Sequence, residues 1–418
     1  MVIVKKYVGH VVYNVSACKH MFVALLLCVT FCQSVVAGQE IDFETLDPYF
    51  EKTLEKWQTP GMTLAIVQGK KTLATKGYGV RKLGTEDPVD GQTMFALGST
   101  SKAFAAATVA ALVDRGDISF DDHVRQYLPW FEIYDPALSD RVNIRDLLTH
   151  RIGTSVKNEN PLRPISKNAR DHLMRSSKLV KPVAAFRDRY VYSNNMFIAS
   201  GLLVAAVSGE TWPDFAKETL WTPLKMVSTN ANVVAARSRS NAASPHAIDD
   251  DGALKSFQWN YPDAVAVPSG GVNSNAVDMA NWLKFQLAEG SAEGKQLISE
   301  AVFNQMHAQQ TAVADPSAAS DIDSQFPGPI RDRGNMRFWS YGMGWYVTEY
   351  RGRKLIYHSG SIDGFRAGVA LLPEENLGIY VGVNRRSRLP FPIILSVFDS
   401  MLEISPKTDW SKEYLSLK

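Results

Sequence analysis

Gly98-Ser99-Thr100-Ser101-Lys102-Ala103-Phe104-Ala105-Ala106-Ala107-Thr108-Val109-Ala110-Ala111-Leu112-Val113 is the stretch on which the reading of this chain turns. From Lys102 to Val113 it is alanine-rich and apolar on every side, too long for a strand, and closed near Gly116, so it reads as a helix buried in the core. Upstream, Phe43, Leu46, Phe50, Leu54 and Trp57 recur at helical spacing between Asp42 and Trp57, and Pro60-Gly61 ends that amphipathic helix. Met62 to Val67 and Thr72 to Thr75 read as strands joined through Gly69-Lys70-Lys71, with Gly77-Tyr78-Gly79 closing the hairpin. Downstream, strand patterns return at Lys354 to His358, Arg366 to Leu372 and Leu377 to Val383, the last two linked by Pro373-Glu374-Glu375-Asn376, ahead of a closing helix from Pro390 to Leu402. Between them, residues 117–325 read as helix and loop, and the polar stretches near 155–170 and 310–335 are expected to be surface excursions.

Strands at both ends with helices between predict an α+β (α/β) fold: one antiparallel sheet built from both termini, flanked by helices, with a mostly helical subdomain inserted. The sheet subdomain is expected over about 38–115 and 335–405 and the helical one over about 116–334, together making a catalytic domain over 38–418 with a cleft where the two meet.

The chain has 418 residues, 45% hydrophobic and 21% charged, a composition able to bury a large core. Lys and Arg number 45 against 43 Asp and Glu, a net charge of +2, which argues against a nucleic-acid partner. After the first 40 residues no window approaches the roughly 18 unbroken apolar residues of a membrane helix. All three cysteines, Cys18, Cys28 and Cys32, precede that point. There Lys5, Lys6 and Lys19 lead into an apolar run from Met21 to Phe31, and Val35-Val36-Ala37 stands before Gly38, the pattern of a signal peptide over residues 1–37 cleaved after Ala37. The expected localisation is secreted or periplasmic, an uncleaved membrane anchor being the alternative. A mature chain without cysteine has no thiol nucleophile and no thiolate metal site.

Ser99 and Lys102 stand three residues apart at the start of the buried helix, on one face and one turn from each other. A serine hydroxyl is a poor nucleophile until a base takes its proton, and an amine buried near other cations is neutral enough to do so. Free N–H groups at the helix start suit a developing oxyanion. Ser-x-x-Lys is weak alone, because Ser16 to Lys19 repeats it and a capping serine followed by a solvated lysine has the same spacing. The apolar helix that follows weighs toward chemistry, since surface lysines seldom join such helices. Tyr192-Ser193-Asn194 offers a phenol that can shuttle the serine proton and a carboxamide that can hold both the lysine and a substrate amide, or else an Asx turn beside a packed tyrosine. Tyr357-His358-Ser359-Gly360-Ser361 ends a strand whose edge can line a substrate, with the Ser361 N–H as a second oxyanion donor; a histidine bonded to a backbone carbonyl is the plainer reading of His358.

Together these three segments, in this order, resemble the serine β-lactamase and penicillin-binding protein superfamily, most closely its class C-like branch of class C β-lactamases, D-alanyl-D-alanine carboxypeptidases, D-amino-acid peptidases and β-lactamase-like esterases. Pro60-Gly61, Gly77-Tyr78-Gly79, Met94-Phe95, Asp146-Leu147-Leu148-Thr149-His150, Ser269-Gly270-Gly271 and Tyr341-Gly342-Met343-Gly344-Trp345 extend the likeness over about residues 45 to 400. The resemblance implies a β-lactamase/transpeptidase-like fold with Ser99 as the acylated nucleophile and Lys102 as its base or proton relay. It makes Tyr192 the general base and acid, puts Asn194, His358, Ser359 and Gly360 along the substrate, and assigns the oxyanion hole to the N–H groups of Ser99 and Ser361. No cofactor and no metal are implied. The implied activity is that of an exported serine hydrolase acting on a small-molecule ester, amide or peptide. A β-lactamase or D-alanyl-D-alanine carboxypeptidase is the alternative, a non-catalytic penicillin-binding-like sensor a further one, and the oligomeric state is open.

Two positions depart from the family pattern. His358 stands where the β-lactamases carry the lysine of Lys-Thr-Gly, and an imidazole mostly neutral near pH 7 holds a carboxylate less well than a fixed ammonium. Arg151-Ile152-Gly153 follows His150 where relatives carry small hydroxyl residues, so an altered loop is expected. Lys407 to Lys418 is expected to begin a linker of the kind that leads to a further domain in some longer relatives. No Gly-x-Ser-x-Gly elbow, His-Glu-x-x-His or Walker-type loop occurs, and the histidines beyond residue 40 are scattered, which argues against an α/β-hydrolase, a metal enzyme and a nucleotide site.

Overall fold

In the computed structural model, which describes residues 41–260 and 267–417, both ends of the chain build one sheet. Residues 1–37, expected from their pattern to be a signal peptide, lie with all three cysteines outside the described residues. Helix α1 (Phe43–Lys56) leads into the hairpin β1 (Gly61–Gln68) and β2 (Lys71–Gly79), followed by α2 (Ser101–Asp114), α3 (Asn195–Ser208) and α4 (Ala276–Leu287). The chain then returns through β3 (Thr311–Ala312), β4 (Trp339–Tyr341), β5 (Tyr346–Tyr350), β6 (Arg353–Ile362), β7 (Phe365–Leu372) and β8 (Leu377–Val383), and finishes in α5 (Pro390–Met401) and α6 (Trp410–Leu415). The eight strands run in the order β2-β1-β8-β7-β6-β5-β4-β3, each neighbour antiparallel. The two ends of the chain meet at β8, which pairs Val381 with Leu64 on one side and Tyr380 with Val369 on the other.

Every residue of β8 is buried, which requires cover on both faces of the sheet. Gly378 packs under Leu283 of α4, whereas Gly368 packs under Ile394 and Pro390 of α5. One helical layer therefore lies on each side. α2 belongs with α4, Phe104 stacking on Trp282 at 4.0 Å between ring centroids, and all of its residues from Ser101 to Leu112 are buried, as its apolar sequence requires. α1 belongs with α5, where Ser396 donates to the Tyr49 hydroxyl at 3.1 Å.

The α+β architecture is the expected one, with differences that have physical causes. β6 runs on to Ile362, so His358 lies inside a strand instead of at its end. β4 and β5 add an unforeseen hairpin to the sheet, because the turn through Gly344, at φ +75°, breaks the apolar alternation that betrays a strand. The segment expected to begin a linker instead seats α6 on the domain: Trp410 Nε1 donates to Asp399 at 2.8 Å and the Tyr414 hydroxyl to the Gln325 carbonyl at 2.9 Å. Among the described residues no helix is long and apolar enough to cross a membrane.

Candidate active site

Ser99 does not open α2; it sits in a tight turn, Gly98–Thr100, just ahead of the helix. Gly98 takes φ +55°, and the hydroxyls of Thr100 and Ser101 donate back to the carbonyls of Leu97 and Gly98 at 3.0 and 2.7 Å, drawing the chain into 3₁₀ geometry. β6 passes against this turn. A Cβ on Gly98 would lie 2.8 Å from the Ser361 nitrogen, and one on Gly360 would run into the Leu97 carbonyl. Glycine at both positions lets the backbone of Ser361 reach the side of Ser99.

Lys102 is fully buried, its Nζ donating to Asn194 Oδ1 and to the Ser269 carbonyl at 2.7 Å each and lying 3.3 Å from Ser99 Oγ. Burial holds its pKa well below that of an ordinary lysine; the charge of Arg163 acts in the same direction, and those of Glu159 and Asp321 oppose it. Two carbonyl acceptors claim two of the tetrahedral positions on Nζ, and a third faces the serine. As an ammonium, Nζ donates to Oγ; as a neutral amine it offers a lone pair to the hydroxyl proton.

The Tyr192 ring centroid stands 4.8 Å from Nζ and 4.3 Å from the ring of His150. His150 accepts the Ser193 N–H at Nδ1 over 3.1 Å, so its proton is on Nε2, and burial, reinforced by Lys102 and His358, keeps the ring neutral. Beneath the Tyr192-Ser193-Asn194 loop lies Glu159, which no sequence feature marks. Its Oε1 accepts from the hydroxyls of Thr154 and Ser193 at 2.8 and 2.6 Å, and its Oε2 from the N–H groups of Asn194 and Asn195 at 2.8 and 3.2 Å. Burial pushes its pKa up, and these four donors, two of them backbone N–H groups that can only donate, act against that rise and favour the carboxylate. The start of α3 favours that charge.

His358 is buried and tied at both nitrogens, Nδ1–H donating to the Ser359 carbonyl at 2.7 Å and Nε2 accepting from the Tyr341 hydroxyl at 3.1 Å. Burial, with the charge of Lys102 adding to it, lowers its pKa to about 3. The ring is neutral and faces the cleft without a free polar atom. Arg151 pairs with Asp146, as does Arg187 at 2.9 and 2.6 Å, so the altered loop after His150 is fastened to a buried carboxylate.

A cleft of about 350 Å³ opens over Ser99, bounded by Tyr192, Asn194, Ser359, Ser361, Asp321 and Arg366. Past Val156, Tyr192 and Asp321 a second hollow of about 370 Å³ continues it between Val183, Val191 and Val313. The two polar stretches expected to be surface excursions are exposed along much of their length and also wall this cleft. The first brings Glu159 and Arg163; the second brings Asp321, whose carboxylate accepts from the hydroxyls of Tyr190, at 2.5 Å, and Tyr346. Local polarity looks the same for a solvated loop and for one whose polar groups bond to distant partners, which is why the sequence did not distinguish them.

The family model for beta-lactamase matches residues 46–395. The chain belongs to the beta-lactamase family. This beta-lactamase-family chain is 27% identical over 387 residues to the unguisins hydrolase ungD' of Aspergillus campestris (strain IBT 28561), covering 88% of this chain and 67% of that one. The octameric penicillin-binding protein homologue from Pyrococcus abyssi superposes with a TM-score of 0.75 at 22% identity, over 88% of this chain and 79% of that one. A class C beta lactamase from Rhodobacter sphaeroides superposes with a TM-score of 0.64 at 20% identity, over 85% and 98% of the two chains. The family is one of serine hydrolases that act on small substrates. Among the described residues no three His, Cys, Asp or Glu side chains gather closely enough to hold a metal ion.

Proposed function

We propose that the protein is an exported serine hydrolase that forms an acyl-enzyme on Ser99 and hydrolyses an ester or a small amide or peptide. One observation carries this reading: a fully buried Lys102 whose Nζ spends two hydrogens on carbonyl oxygens and turns its remaining vertex to Ser99 Oγ at 3.3 Å. In the first step Oγ bonds to the substrate carbonyl carbon as its proton passes to Nζ, and the oxyanion meets the N–H groups of Ser99 and Ser361. The proton then reaches the leaving oxygen or nitrogen through Lys102 or the Tyr192 phenol, and the bond to that atom breaks. Water, deprotonated by the same groups, attacks the acyl carbon and releases the acid and Ser99. Asn194 holds Lys102 and borders the substrate, with Ser359 and Gly360 running along it on β6.

Ser99→Ala is expected to abolish both p-nitrophenyl butyrate turnover and the mass adduct left by a fluorophosphonate. An adduct surviving in that variant overturns the assignment. A penicilloyl adduct on the native enzyme shifts the reading to a β-lactamase or carboxypeptidase, and an adduct without turnover of any ester shifts it to a sensor. Export rests on the pattern in residues 1–37, and an intact mass beginning at Gly38 is the expected result for secreted material.

A further inference from the structure

Tyr192 stands in a loop ahead of α3, outside any helix or strand, so contacts with other parts of the chain must place its phenol. His150, which follows the short helix Ile144–Leu148, makes three of them. Its carbonyl accepts the Val191 N–H at 2.8 Å, its Nδ1 accepts the Ser193 N–H at 3.1 Å, and its ring lies 4.3 Å from that of Tyr192 between centroids. One residue thus holds the chain on both sides of Tyr192 and packs on the ring between. His150 is fully buried and borders neither hollow of the cleft, so it reaches the reaction only through its neighbours.

Two features of His150 are unfavourable on their own. Its backbone takes φ +55°, a left-handed conformation that a side chain makes costly, and its Nε2–H is buried without an acceptor among the described residues. The surroundings enforce the backbone: the Thr149 carbonyl accepts the Thr311 hydroxyl of β3 at 2.8 Å, and Arg151 pairs with buried Asp146. Strain kept in this way gathers at functional sites. An apolar side chain among Phe197, Tyr190 and Tyr341 would orphan no donor; what it would lack is the acceptor at Nδ1. Burial, then the charges of Lys102 and His358, keep the imidazole neutral, so that acceptor is retained. We propose that His150 is a positioning residue for the hydrolysis, fixing the Tyr192 phenol beside Lys102 by accepting the N–H groups on either side of it and packing on its ring. This inference rests on the acyl-enzyme reading, in which Tyr192 shares the proton transfers with Lys102.

The test uses the full chain and p-nitrophenyl butyrate. His150→Asn and His150→Leu have the same shape and differ in an acceptor, because the Asn oxygen hangs from Cγ as Nδ1 does. His150→Leu is expected to lower kcat by roughly ten- to a hundredfold, the scale of a catalytic group moved by about 1 Å, with KM within about threefold. His150→Asn should restore most of that loss. The same two changes are then made in Tyr192→Phe. Loss of folded protein lowers activity by one factor whatever stands at 192, whereas an effect carried by the phenol disappears with it, so in that chain both are expected to change kcat by less than about threefold. Where its turnover is too slow for steady state, the rate of fluorophosphonate labelling at Ser99 gives the same ratios. Should His150→Leu fail to fold, His150→Gly, which meets φ +55° without strain, replaces it. Equal losses in the two backgrounds, a His150→Asn chain no more active than His150→Leu, or a His150→Leu chain as active as the native one overturns the positioning role and leaves the hydrolase standing. A native chain that neither turns over esters nor takes the label overturns the hydrolase, and the role with it.

Discussion

On the α2 and α3 side of the cleft, Lys102 gives hydrogens to two carbonyl oxygens at 2.7 Å and Glu159 takes hydrogen bonds from four donors, whereas on the β7 side Arg366 keeps a buried Nε with no partner among the described residues. A group that moves a proton must be oriented before substrate arrives, so the fold completes its hydrogen bonds in advance and aims what is left over. The cleft thus has paired charge on one side and unpaired charge on the other.

The contrast breaks most visibly at Lys102. Lys102→Met is expected to lower kcat by about a hundred- to ten-thousandfold, read against p-nitrophenyl butyrate; a loss of tenfold or less would take the base away from this wall. Glu159→Gln comes next, since the amide sets an N–H₂ against groups that are themselves donors. Stability should fall by about 1–3 kcal/mol in urea unfolding. Losing an anion that raises the Lys102 pKa also favours the neutral amine, so the acid limb of kcat/KM should move to lower pH. An unmoved limb would mean that Glu159 only braces the loop.

The buried histidines sharpen the same contrast through pH. In the unfolded chain an imidazole binds a proton near pH 6.5, whereas folded His358 does so only near about 3 and His150 also well below its ordinary value. The unfolded state therefore binds more protons between those limits. Stability is held above pH 6.5 and falls as pH drops, by about 1.4 kcal/mol per unit for each such histidine. His358→Gln should flatten that slope in urea midpoints taken from pH 7 to pH 4, and an unchanged slope would mean that the ring is charged in the fold.

Much of this was legible before any coordinates. Ser-x-x-Lys ahead of an apolar helix, Tyr192 with Asn194, and apolar runs at both ends of the chain picked out the serine, the buried lysine beside it and the sheet, because each is a pattern within a single element. Glu159, Asp321 and Arg366 were not legible. Glu159 meets Asn194 across 35 residues and Asp321 meets Tyr190 across 131, and periodicity reports only what neighbours within one element do. The hairpin of β4 and β5 escaped for a related reason, its strands being short and parted by a glycine turn.

The sequence by itself determined the residue types available for chemistry, their order along the chain and the sheet that would gather them, since those follow from apolar pattern and local spacing. Only the tertiary structure decided that Lys102 is kept from water with its hydrogens spoken for, that Glu159 is buried among four donors, and that Arg366 keeps a buried Nε without a partner among the described residues. Charge state and pairing depend on burial and on distances of a few ångströms between groups far apart in the chain, and those exist only once the fold has closed.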